Sequence, residues 1–162
     1  MKKAFSMIEM IFAIAVIGIL SAIAIPKMMA NKQTAQIVKL KEQVEAIRKG
    51  IEAYAGNQYL ETGRKTYPIG LCTNASGNTS GCQNNMNQKR FFTAVLPKSA
   101  DFGSKQAQWN GWTNGVTHET FIFYADNKKN GYIFEYDETT GEFKCLNSYS
   151  KTKPLPCKDL GE

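Results

Sequence analysis

Between Ala4 and Pro26 the sequence reads AFSMIEMIFAIAVIGILSAIAIP, and the 21 residues from Phe5 to Ile25 hold a single ionisable side chain, Glu9. As an α-helix rising about 1.5 Å per residue, such a run spans roughly 30 Å, the hydrocarbon thickness of a bilayer. Lys2 and Lys3 precede it, and Lys27 is the next positive charge. A short basic start ahead of an apolar run predicts an N-terminus held in the cytoplasm and a remainder delivered outside.

Glu9 is the odd residue of this run. A carboxylate near one end of a lipid-facing helix costs a few kcal/mol unless it finds a partner, so it marks a functional position. In a plain signal anchor it has no purpose. In a secretory signal peptide the run is an h-region, and Ala22-Ile23-Ala24 supplies an A-x-A cleavage pattern. A charge inside the h-region and the length of the run both count against that reading.

A third reading gives Glu9 a role. Lys2-Lys3-Ala4 followed by Phe5-Ser6-Met7-Ile8-Glu9-Met10 resembles the class III signal of type IV pilins and pseudopilins. That family has a short basic leader, a small residue before the scissile bond, an aromatic first mature residue and a glutamate at the fifth mature position. Ala4 stands where the family more commonly has glycine, and Pro26 matches a proline that recurs after some twenty apolar residues. The resemblance covers about the first 30 residues. It implies cleavage between Ala4 and Phe5 by a prepilin peptidase, N-methylation of Phe5, and filament assembly in which Glu9 pairs with the Phe5 ammonium of a neighbour. Two charges that are costly alone then neutralise each other in an apolar filament core. Gly18 and Pro26 are the helix-weakening residues of the run, and the resemblance implies a local melt between them in the filament.

Net charge is +6, but its location does not indicate a strongly DNA-binding head. Residues 1–65 carry ten Lys/Arg against five acids, and residues 66–162 carry ten against nine. Lys89, Arg90, Lys98 and Lys105, and Lys151, Lys153 and Lys158, are local basic groups that leave DNA as a weak candidate partner. Cys72, Cys82, Cys145 and Cys157 all lie beyond the apolar run, which in an oxidising compartment reads as two disulfides. Four cysteines allow three pairings. Cys72–Cys82 and Cys145–Cys157 each bracket a turn-rich segment and are favoured; the sequence leaves the others open. The second pairing closes a C-terminal loop like the one many type IV pilins carry.

From Asn31 the pattern turns amphipathic. Ile37, Leu40, Val44, Ile47, Ile51 and Tyr54 recur at spacings of 3, 4, 3, 4 and 3, one face of a helix, with Glu45–Lys49 as an i,i+4 pair. The stripe predicts a stem helix packed on a sheet, or a short coiled coil, ending near Gly56-Asn57.

Beyond it, residues 74–81 read as an exposed polar loop, with Asn74 and Asn78 in chance-prone N-x-[ST] triplets. Phe91 to Leu96 reads as a helical turn or short strand stopped by Pro97. Trp109-Asn110-Gly111-Trp112-Thr113-Asn114-Gly115 reads as a turn-rich loop whose tryptophans cover a core edge or stack on a sugar. Glu119–Ala125, Gly131–Tyr136 and Glu142–Leu146 are three β-rich runs joined by turn-forming connectors, which predicts an antiparallel meander.

The chain shows no phosphate loop or nucleophile motif, and its one histidine, His118, has no recognisable partner, so no enzyme is expected. Without a C-x-x-C pair a zinc site is not indicated. Asp137, Glu138 and Glu142 are weak calcium candidates whose spacing fits no EF-hand loop; no cofactor is otherwise expected.

The expected architecture is α+β and pilin-like: leader 1–4, membrane and filament-core helix 5–30, amphipathic stem 31–56, and a head over 57–162 with an antiparallel sheet and a disulfide-closed C-terminal loop. The resemblance implies a single-pass subunit of the bacterial inner membrane with its head in the periplasm. Its implied partners are copies of itself, other pilin-like subunits, an assembly platform and membrane lipid. Type II secretion, DNA uptake and adhesion remain open as the system served. The competing reading is a periplasmic or secreted binding module, carbohydrate-directed through Trp109 and Trp112.

Overall fold

The computed structural model describes residues 6–73, 79, 80, 82, 91–101, 103, 105–113, 118–126, 130–149 and 153–162, with backbone alone at 23–31, 33, 79, 80, 112, 113 and 118. The elements run α1 (Met7–Thr62), β1 (Cys72–Thr73), β2 (Thr79–Ser80), β3 (Trp109–Thr113), β4 (His118–Tyr124), β5 (Gly131–Asp137), β6 (Phe143–Leu146) and a short 3-10 helix, Cys157–Leu160. This is an α+β chain of one long helix and two antiparallel sheets, β1-β2 and β3-β4-β5-β6. It divides into two compact units, Met1–Gln36 and Ile37–Glu162.

In the first unit α1 runs through Gly18 and Pro26 without a break. The local melt expected between them is thus not a property of the isolated chain. No described helical segment is long and apolar enough to cross a membrane. The apolar run of the sequence, Phe5 to Ile25, extends at both ends beyond its described side chains, which run from Ser6 to Ala22.

In the second unit successive side chains of the sheet point to opposite faces, and its central strands are buried on both. Trp109 and Gly111 of β3, Phe121 and Phe123 of β4, Tyr132, Phe134 and Tyr136 of β5, and Phe143 of β6 share one face, in register across the strands. Leu40, Val44, Ile47 and Ile51 of α1 are buried in the same cluster. The stem stripe therefore packs on the sheet, not on another helix, and Ala55 extends the buried row. Edge-to-face rings fill the space between: Phe92 lies 5.0 Å from Trp109 and Trp109 lies 5.3 Å from Phe123, centroid to centroid. The opposite face carries a smaller cluster of Ile122, Tyr124 and Ile133.

Two expectations are corrected, and of the two alternatives for residues 91–96 the helical turn is the one found. The helix does not stop at Gly56; it runs to Thr62, where Gly63 at φ +72 takes the left-handed end and its N–H donates to the Tyr59 carbonyl at 2.9 Å. The Trp109–Thr113 segment is not a loop but the outer strand of the sheet, paired residue by residue with β4. Residues 91–96 form a turn, with Leu96 N–H on the Phe92 carbonyl at 2.8 Å and Phe91 bridged to Ala100. Phe92 sits at φ +60, a strained conformation for a bulky residue, and its complete burial among aromatic rings holds it there. The turn approaches α1 so closely that a Cβ on Gly50 would meet the Val95 carbonyl oxygen.

Candidate functional site

Ala4 and Phe5, the expected cleavage and methylation residues, lie outside the described residues, and the site is built from Ser6 and Glu9. The Ser6 N–H donates to Glu9 Oε2 at 3.0 Å, and the Glu9 N–H donates to Ser6 Oγ at 3.4 Å. This is a capping box: each side chain satisfies a backbone donor that the first turn of a helix leaves without a partner. It is written in the sequence as S-x-x-E, a signal the reading above passed over because Glu9 was judged only as a charge in an apolar run. Glu9 is also the acidic residue in the first turn of α1, where the helix dipole favours negative charge. Its carboxylate thus has a partner in the isolated chain, the backbone N–H of the residue next to Phe5. From Met7 to Leu20 the apolar side chains around it are exposed.

The other expected site residues are scattered. Trp109 is fully buried and donates its indole N–H to Gln43 Oε1 at 3.0 Å. It covers no edge and cannot stack on a sugar; it is core. The side chains of Trp112 and His118 are not described. Cys72–Cys82 and Cys145–Cys157 are the disulfides of the structure, with Cα atoms 5.2 and 5.9 Å apart. Asn74 and Asn78, and Lys89, Arg90 and Lys151, fall outside the described residues, and Lys98, Lys105, Lys153 and Lys158 are exposed. Asp137 accepts from both the N–H and the hydroxyl of Thr139, while Glu142 pairs with Lys144 at 3.5 Å. Among the described residues no group of three or more His, Cys, Asp or Glu side chains could hold a metal ion. Glu45 pairs with Arg48 at 3.5 Å, an i,i+3 partner in place of the expected Lys49.

A second polar centre was missed. Glu119 is buried on the helix-facing side of β4, and its two oxygens accept the backbone N–H groups of Leu71, at 2.9 Å, and Cys82. Its pKa is pushed up to about 7, with burial as the largest cause, the two amides pulling it down and Glu138 adding a smaller upward push. Beside it in register, Tyr136 donates its hydroxyl to the Pro68 carbonyl at 2.8 Å and is also pushed up, first by burial. The signal was the alternation Glu119-Phe121-Phe123, which puts all three on one face.

The family model of the prokaryotic N-terminal methylation motif matches residues 1–25. The chain carries the class III prepilin signal, which supports a type IV pilin-like or pseudopilin subunit. The motif implies anchoring by the N-terminal helix and assembly with other pilin-like subunits, a structural role and not an enzymatic one. No curated protein and no solved structure matches the chain.

Proposed function

We propose that this chain is a pilin or pseudopilin subunit of a filament machine in the bacterial inner membrane. A prepilin peptidase cuts it between Ala4 and Phe5, Phe5 is N-methylated, and subunits polymerise through the N-terminal helix with their heads outward. The observation that carries the reading is the methylation motif at residues 1–25, set on a chain whose helix leads into an antiparallel head. In the filament the Phe5 ammonium of one subunit meets Glu9 of the next, and Glu9 exchanges its capping bond to Ser6 for that ion pair. Helix loosening between Gly18 and Pro26 then belongs to assembly, since α1 is unbroken in the single chain.

Among the systems such filaments serve, the compact sheet with its short disulfide-tied tail favours a pseudopilus of type II secretion over an adhesive or DNA-uptake fibre. The competing sugar-binding module loses Trp109, which is buried. The test is Glu9→Ala in the native host, with filament yield and membrane level of the subunit measured together. The account expects normal membrane insertion with filament yield strongly reduced. Normal yield from Glu9→Ala overturns it.

A further inference from the structure

Among the described residues Glu119 is the one charged side chain buried in the head, at 5% exposure. Its partners are a pair with a shared position. Leu71 immediately precedes Cys72, Cys82 is bonded to Cys72, and β1 and β2 lie between them as a hairpin paired Cys72↔Ser80 and Thr73↔Thr79. One carboxylate therefore holds both feet of a disulfide-closed hairpin against the end of β4.

The chemistry of that clamp depends on a proton. An ionised carboxylate offers two acceptor oxygens, and each is taken by one backbone donor. A neutral acid carries a hydroxyl on one oxygen, which is itself a donor, so the amide facing it loses its acceptor. We propose that Glu119 is a protonation-operated latch, which as the carboxylate holds Leu71 and Cys82 together and as the neutral acid releases one of those two amides. The disulfide keeps Cys72 and Cys82 joined in either state, so the feet loosen without separating.

The surroundings set the latch near neutrality. Burial favours the neutral acid, the two amides favour the carboxylate, and the balance lies at about 7. Among the described residues no basic group acts on it; Glu138, beyond the end of β5, pushes towards the acid. Tyr136 on β5 has its hydroxyl committed to Pro68, and Tyr54 of α1 and Asp137 act on Tyr136. The Cys72–Cys82 disulfide in the hairpin does not titrate. His118 is adjacent in the chain, and histidine is the side chain whose ordinary pKa lies nearest this range, so it serves as the control.

The experiment is an amide NMR titration of the full-length chain in detergent micelles between about pH 5 and 8.5, with hydrogen exchange measured on the same amides. Wild type and His118→Gln should both show the Leu71 and Cys82 amide protons moving with one shared midpoint near neutrality. On acidification, protection at one of the two amides, corrected for the intrinsic exchange rate, should fall about tenfold. Ile133 and Phe134 amides in β5 should not respond, and Glu119→Gln should abolish the transition. Flat shifts at Leu71 and Cys82 in wild type overturn the proposal. So does a transition that survives Glu119→Gln or vanishes with His118→Gln. If Glu119→Gln does not fold, the wild-type and His118→Gln titrations decide the matter alone.

Discussion

The indole N–H of Trp109 donates to Oε1 of Gln43 at 3.0 Å, so the outer strand of the sheet is tied to the helix by the one polar atom of a fully buried ring. Trp109→Phe keeps an aromatic ring but gives up volume and that bond, at a cost of about 1–2 kcal/mol. Trp109→Ala opens a cavity at the centre of the aromatic cluster and costs about 3–5 kcal/mol. Denaturant unfolding of both variants checks the order; equal, small losses would place Trp109 outside the core.

Gly50 and Gly56 make a paired test on one helix. A Cβ at Gly50 would collide with the Val95 carbonyl oxygen, whereas one at Gly56 meets nothing within 4 Å. Gly50→Ala must displace the turn that carries Phe92, an overpacking cost of about 1–3 kcal/mol. Gly56→Ala gains helix propensity, about 0.5–1 kcal/mol of added stability. The two melting temperatures should move in opposite directions, and a shared sign contradicts the packing described.

Reduction of the disulfides should loosen the chain end first. Cys145–Cys157 closes a loop of sequence separation 12, and the segment it ties down is otherwise held by Leu155 N–H on the Gly131 carbonyl and Cys157 N–H on Asn147 Oδ1, both at 2.9 Å, by the Tyr132 hydroxyl on Asp159 and by the Arg48–Glu162 ion pair. Replacing both cysteines by serine is expected to cost about 3 kcal/mol and to expose residues 153–162 to proteolysis. Limited proteolysis with mass analysis of the fragments reads this directly. Unchanged resistance would mean the tail is held by its other contacts.

Stability should depend on pH through Glu119. Folded, it ionises at about 7, against an ordinary 4.5. Between those values the folded chain keeps a proton the unfolded chain has lost, so stability from this group is full below about 4.5 and gone above about 7. The span corresponds to on the order of 3 kcal/mol. Wild type should lose more stability than Glu119→Gln between pH 5 and 8; parallel pH profiles would contradict it. This agrees with the opening of the latch in acid. Protonation removes the cost of a buried charge and gives up one amide bond, and the first effect is the larger.

Much of this fold was legible because burial leaves a period in the sequence. The stem stripe from Leu40 to Ile51 matched its buried face, and Gly131–Asp137 forms a strand as expected, although its first four residues are all buried rather than alternating. The misses share a cause: residue types were weighed without their neighbours. Gly56 looks like a helix stop, yet nothing crowds it and the chain simply continues helical to Thr62. Asn110 and Gly111 look like a turn, but Gly111 is in β3 because its missing Cβ leaves room for the Phe121 and Phe91 rings, 3.0 and 3.1 Å from where it would sit. Glu119 looked like the polar start of a strand, and only three-dimensional structure brings Leu71 and Cys82 to its oxygens. The Ser6–Glu9 capping box, by contrast, is local and was readable all along.

The central claim is that the chain is processed as a prepilin, and the direct measurement is intact mass with N-terminal sequencing of the protein from native membranes. The account predicts a chain that begins at Phe5 and carries one methyl group on its amine. A chain beginning at Ile25, or one still carrying Met1 to Ala4, contradicts it.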